Sequence, residues 1–262
     1  MKTLSRFLLL TLMENDTLRP KDRYLVGSVW PTNRTGVLGD KELDPKLPPS
    51  IELVHLSMGF TQGNQAEFRA SIPGYEAKAA ELAALGPDLI RVIGAPPFML
   101  LGYEDEGATI RTWESRYGIP MVTSGMNHVR AFRTLGVRRI VGASYFPAEL
   151  NTLFRAYLTD AGFEMLGMEG IDVPFADVPK VPSSEIRRQL TAMFARHPGG
   201  ECLYMLGSAW KTLDIIEPLE ADLGVPVVHA LPARCWETQM RLGVRHPIPG
   251  YGRLLAEMPE PV

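Results

Sequence analysis

Gly118-Ile119-Pro120-Met121-Val122 and Gly224-Val225-Pro226-Val227-Val228 are two versions of one phrase, and reading them decides the fold. Each opens on a glycine of the kind that stops a helix, passes a proline that cannot continue one, and enters a short apolar strand. Each then leads into a helix-length stretch ending in Leu-Gly, at Leu135-Gly136 and at Leu242-Gly243. Working outward, Val26-Gly27-Ser28 followed by Pro31 and Asn33 is answered by Val141-Gly142-Ala143 followed by Pro147 and Asn151. Val92-Ile93-Gly94-Ala95 is answered by Met205-Leu206-Gly207-Ser208. The offsets are 115, 113 and 106 residues, counted between the paired glycines and prolines. Three matched pairs in the same order read as an internal duplication.

Between these landmarks, strand-length apolar runs alternate with amphipathic helix-length stretches. Strands are expected at Tyr24–Trp30, Ile51–Ser57, Leu89–Ile93 and Pro120–Thr123, with helices near 74–85 and 104–117. Such alternation predicts an α/β fold with parallel sheets flanked by helices. Written twice, it predicts two similar Rossmann-like lobes related by a pseudo-twofold, with a cleft between them. The first lobe is expected to take residues 21–124 with 231–262, and the second 125–230. Residues 1–20 would form a leader, since the run Phe7–Met13 is too short to span a bilayer and no small-residue cleavage site follows it. Loops at the carboxyl ends of the strands carry the chemistry in such sheets. The cleft should therefore be lined by Thr32, Asn33, Gly94, Ala95 and Pro96 from one lobe. The other would contribute Tyr145, Gly207, Ser208, Ala209 and His229.

Composition narrows the function classes. The 262 residues carry 27 Lys and Arg against 30 Asp and Glu, a net charge of −3, which argues against electrostatic nucleic-acid binding. Two cysteines, Cys202 and Cys235, exclude a disulfide framework and a cysteine-built zinc site. The five histidines form no pair at helical ligand spacing, and no phosphate-binding or dinucleotide fingerprint is present. No metal and no cofactor is expected. The expectation is a cytoplasmic protein with no membrane or nucleic-acid partner, a small-molecule carboxylate as ligand, and a homo-oligomer as the default assembly.

These residues resemble the aspartate/glutamate racemase superfamily, and more closely its arylmalonate decarboxylase and maleate cis–trans isomerase branch. The resemblance runs from about Tyr24 onward. It is carried by Pro31-Thr32-Asn33, by Gly118-Ile119-Pro120 before a Thr-Ser loop, and by Gly136-Val137-Arg138-Arg139-Ile140 with Tyr145. Further support comes from Thr212-Leu213-Asp214, Leu223–Val227 and Pro249-Gly250-Tyr251-Gly252-Arg253-Leu254. The resemblance implies cofactor-free proton chemistry at a carbon next to a carboxylate, performed in that family by cysteine thiols.

The chain departs from that pattern where the chemistry lies. The two family cysteine positions fall at Gly94 and Gly207, and the hydroxyl residues of the family's oxyanion loop at Ala95 and Pro96. Proline has no backbone N–H to offer an anion. A family tyrosine falls near Phe68, whereas Tyr145 keeps the tyrosine of the second lobe. Ser208, in a strand-to-helix turn, could replace a lost group if a base assisted it, and His229 is the nearest by topology. Three readings follow. One is a lyase or isomerase with non-cysteine acid–base groups, another a binding or regulatory relative without turnover, and the third a hydrolase or hydratase built on Ser208 and His229.

Overall fold

The structure, a computed structural model, describes residues 23–31, 43–171, 173–174 and 176–262. The expected leader at 1–20 and the candidate residues Thr32 and Asn33 lie outside them. In chain order the first half runs β1 (Tyr24–Trp30), a single 3-10 turn at Asp44–Lys46, β2 (Ile51–Ser57), α1 (Gln65–Ala70), α2 (Ile72–Ala83) and β3 (Leu89–Val92). It continues with α3 (Ala95–Met99), α4 (Tyr103–Tyr117), β4 (Met121–Thr123) and α5 (Ser124–Thr134). The second half runs β5 (Arg139–Ser144), α6 (Ala148–Asp160), β6 (Glu164–Gly170), α7 (Ser183–Ala195) and β7 (Cys202–Met205). It closes with α8 (Ile216–Leu223), β8 (Val227–His229), α9 (Ala230–Arg241) and α10 (Arg253–Glu257).

The strands form two parallel four-stranded sheets of the same order, β2-β1-β3-β4 and β6-β5-β7-β8. Two similar lobes of this kind are what the duplicated sequence predicts. The β1 and β2 bounds coincide with the sequence reading; β3 and β4 are each one residue shorter. The repeated Gly-Xaa-Pro phrase shows why the lobes match. Gly118 and Gly224 close α4 and α8 in left-handed conformation, their N–H groups donating to Glu114 and Glu220 carbonyls. The same two glutamates then reach past the proline. The Glu114 side chain accepts the Met121 N–H at 2.8 Å, and Glu220 accepts the Val227 N–H at 2.9 Å. One device, used twice, fixes the helix end and the start of the strand.

After those strands, Thr123 and His229 each cap the following helix with their own side chains. Thr123 Oγ1 accepts the Met126 N–H at 3.1 Å, and His229 Nδ1 accepts the Leu231 N–H at 3.1 Å. The helices α5 and α9 pack on one another, and every residue of α9 from Leu231 to Gln239 is buried. No helix among the described residues is long and apolar enough to cross a membrane.

Candidate active site

A cavity of about 70 Å³ lies where the carboxyl ends of the two sheets face each other. Ile93–Pro97 line it from the first lobe, and Gly207–Ala209 from the second. Gly94 and Gly207 occupy equivalent turns, with φ of +109° and +108°, a region that favours glycine. Both are also crowded. A Cβ on Gly94 would lie 2.7 Å from Tyr75 Oη, a hydroxyl that donates to the Ile93 carbonyl. A Cβ on Gly207 would lie 2.5 Å from Tyr145 Cζ and Oη.

Tyr145 follows β5, in a turn held by Ser144 and Asn151. Ser144 Oγ donates to Asn151 Oδ1 at 2.6 Å and accepts the Phe146 N–H, while Asn151 Nδ2 donates to the Phe146 carbonyl. This places Tyr145 Oη 3.2 Å from both the Ser208 and Ala209 nitrogens, whose N–H groups it accepts. Two backbone donors thus converge on one oxygen, the arrangement that holds oxyanions in acyl and enolate chemistry. Opposite them, Gly94 donates its N–H to Ser124 Oγ at 3.2 Å. Phe68 lies in the cavity wall, with its ring against Phe60 and Phe146.

The structure brings Tyr145, Ser208, Gly207, Ala209, Gly94, Ala95, Pro96 and Phe68 to one cavity. It does not bring His229 there. The His229 ring is fully buried; its Nδ1 caps α9 and its Nε2 lies 3.0 Å from Thr212 Oγ1. Burial, reinforced by His128 and Arg234, pushes its pKa down to about 3, so it stays neutral. With one nitrogen accepting and the other donating, no lone pair remains for a serine. The Ser208–His229 partnership expected from topology is thereby corrected: the strand end is near the cleft, but the side chain turns back to its own helix.

Two polar residues that the sequence reading passed over do line the cavity, His128 and Arg234. Each lies five residues beyond a capping residue, His128 after Thr123 on α5 and Arg234 after His229 on α9. The duplication offset of 106 residues relates the two positions, and it is the one sequence signal that could have found them. Arg234 reaches the first lobe, its guanidinium 3.8 Å from Asp44 and stacked 5.5 Å from the Trp30 ring centre. Asp44 also receives two 3.1 Å hydrogen bonds from Arg91, whose Nε donates to Ser28 Oγ. Burial alone would raise the Asp44 pKa, but Arg91 and Arg234 together hold it below the usual carboxylate range. Among the described residues lining the cavity none is acidic, so its charged side chain, Arg234, favours an anion.

Neither cysteine lines this cavity. Cys202 on β7 and Cys235 on α9 are both fully buried, and burial pushes the Cys202 thiol well up. Among the described residues no group of three or more His, Cys, Asp or Glu is arranged to hold a metal.

Behind α5, between the lobes, Glu106 is fully buried and accepts a short hydrogen bond from Tyr157 of α6. Burial pushes its pKa up to about 7, against the pull of the Thr123 and Tyr157 hydroxyls. A folded-state pKa above the unfolded one stabilises the fold at acid pH, and that contribution is lost as pH rises through about 7. Urea unfolding of wild type and Glu106→Gln at pH 5 and pH 8 should therefore diverge. The wild type is expected to lose on the order of 2 kcal/mol relative to the variant across that interval.

Known proteins share this architecture. An arylmalonate decarboxylase from Bordetella bronchiseptica is 24% identical over 218 residues, covering 81% of this chain and 89% of that protein. A crystal structure of arylmalonate decarboxylase superposes with a TM-score of 0.78 at 23% identity, covering 89% of this chain and 99% of that one. A Nocardia farcinica maleate cis–trans isomerase, solved with a covalently bound succinylcysteine intermediate, gives 0.77 at 20% identity over 89% and 98% of the chains. The sequence profile described as arylmalonate decarboxylase matches residues 39–255. With most of its length inside that match, the chain belongs to the arylmalonate decarboxylase family.

Proposed function

We propose that this protein is a cofactor-independent lyase or isomerase that acts at the carbon next to the carboxylate of a small substrate, using acid–base groups other than cysteine. The observation that carries the reading is the convergence of the Ser208 and Ala209 N–H groups on Tyr145 Oη, in a cavity that Arg234 makes attractive to anions. The relatives' chemistry agrees with a carboxylate substrate, since their names specify arylmalonate and maleate. A mechanism unlike that of the isomerase that forms a succinylcysteine is supported by the position of both thiols, neither of which lines the cavity.

In the decarboxylation variant of this reading, the carbon–carbon bond to one carboxylate breaks and carbon dioxide leaves. The electron pair then spreads over the remaining carboxylate as an enediolate. Arg234 attracts the anion, and the apolar wall of Phe60, Phe68 and Phe146 surrounds the departing group, where loss of water raises the ground-state energy of a carboxylate. Tyr145 gives its proton to the carbon, and the two N–H groups now on its oxygen hold the negative charge until water returns a proton. Ser208 supplies one of those groups through its backbone.

Incubation with phenylmalonate, malonate and maleate in D₂O, followed by proton NMR, tests the reading. Product or α-deuteration is expected without added metal or cofactor and in the presence of EDTA. Tyr145→Phe should slow turnover by about 100-fold or more. Thermal stabilisation by one of these compounds, with neither product nor exchange, would instead identify the non-catalytic binding relative.

A further inference from the structure

Tyr204 of β7 and His128 of α5 form a buried pair. Tyr204 Oη lies 2.8 Å from His128 Nδ1, and the rings meet edge to face with centres 5.2 Å apart. Among the described residues the Tyr204 hydroxyl has no other hydrogen-bond partner. A buried phenol with one neighbour able to accept a proton donates to it. Nδ1 then carries the lone pair, and the ring proton resides on Nε2. That Nε2 is buried and has no acceptor among the described residues, although His128 lines the cavity. A buried donor left unmet is costly, and an acceptor bound in the cavity that His128 lines would satisfy it.

We propose that His128 is a neutral hydrogen-bond donor to the bound ligand, offering Nε2–H to a carboxylate oxygen, and that Tyr204 is the positioning residue that fixes its tautomer. The inference rests on reading the cavity as a small-carboxylate site and adds the group on α5 that recognises the carboxylate. Equivalent positions on α9 and α5 then present different chemistry, a cation from Arg234 and an uncharged donor from His128. The asymmetry suits a reaction in which charge builds on one carboxylate. A neutral imidazole adds little attraction to the resting anion, and its hydrogen bond strengthens as the oxygen becomes more basic. An imidazolium would hold the starting material as firmly as the enediolate.

Protein labelled with ¹⁵N-histidine reports the tautomer directly, through the two- and three-bond proton–nitrogen couplings of each ring. At pH 7, His128 is expected as the neutral Nε2–H form. Saturating phenylmalonate or maleate should shift its Nε2 proton downfield. His128→Phe should weaken binding of that probe by about tenfold or more. His128→Gln, whose amide can place a donor near the same point, should recover part of the loss and guards against misreading a folding defect. In Tyr204→Phe the second tautomer should appear, with a smaller loss of affinity.

An Nδ1–H or imidazolium form of His128 at pH 7 would overturn the inference. So would a probe that binds without moving the His128 signals and with unchanged affinity for His128→Phe. Failure of both probes to bind the wild type would overturn the small-carboxylate reading of the cavity itself, and this inference with it, so the two failures are told apart.

Discussion

Asp44→Ala is expected to lower the unfolding free energy by about 3–5 kcal/mol, the range for removing one partner of a buried ion pair. Arg91 sits on β3 in the middle of the first sheet and is 1% exposed, so its guanidinium has no route to water once the carboxylate is gone. Ser28 Oγ would remain as a neutral acceptor for one of its donors. Urea denaturation at pH 7 should show a lower midpoint with an unchanged slope. The double variant Arg91→Met with Asp44→Leu should recover part of the loss, because it removes the stranded Arg91 charge while Arg234 still loses its counter-charge. The pH dependence has a definite sign. The Asp44 pKa is lowered in the folded state, so its contribution is present above the unfolded value near 4 and is lost as pH falls through the folded one. The gap between wild type and Asp44→Ala should close in acid.

Gly207→Cys, which would place a thiol on the turn after β7, is expected to cost about 2–4 kcal/mol. Two causes add. The backbone at φ +108° strains any side chain, and the new Cβ would meet the Tyr145 ring well inside contact distance. Chemical denaturation should show the loss for Gly207→Ala as well, which separates it from thiol chemistry. Combining Gly207→Cys with Tyr145→Ala should cost less than the sum of the single changes, since the collision disappears while the backbone strain stays. A stable Gly207→Cys protein with Tyr145 still on the Ser208 and Ala209 N–H groups would contradict the packing described above. Tyr145 therefore fills the space that a side chain at 207 would need.

Much of the architecture was legible because its signals are local. Helix stops at Gly118 and Gly224, prolines after them and apolar runs beyond decide the elements within a few residues, and repetition in order reveals two lobes. Topology then brought the residues after β3, β5 and β7 to one cavity, Tyr145 and Ser208 included. Side-chain direction was not legible. His229 ends a strand near the cleft, yet its ring turns away because Leu231 N–H and Thr212 satisfy it better. Arg91 looked like part of an apolar run, since Ser28 and Asp44, which hold it, lie 63 and 47 residues away in sequence. His128 and Arg234 carried no signal of their own in the sequence. Only burial on every side of α9, and the pairing of His128 with a tyrosine 76 residues distant, set them apart.

The burial of α9 also bears on the order of assembly during synthesis. All four strands of the first sheet, residues 24–123, leave the ribosome more than 100 residues before Ala230. Until α9 arrives, the face of α5 that it covers stays open, and Asp44 has Arg91 but not yet Arg234 beside it. Arg234 is among the last cavity residues to be made, so the nascent chain cannot hold an anion there before both lobes exist. The cavity therefore gains its cation only when α9 has been made, and the core closes later still, when Leu254, Leu255 and Met258 pack behind it.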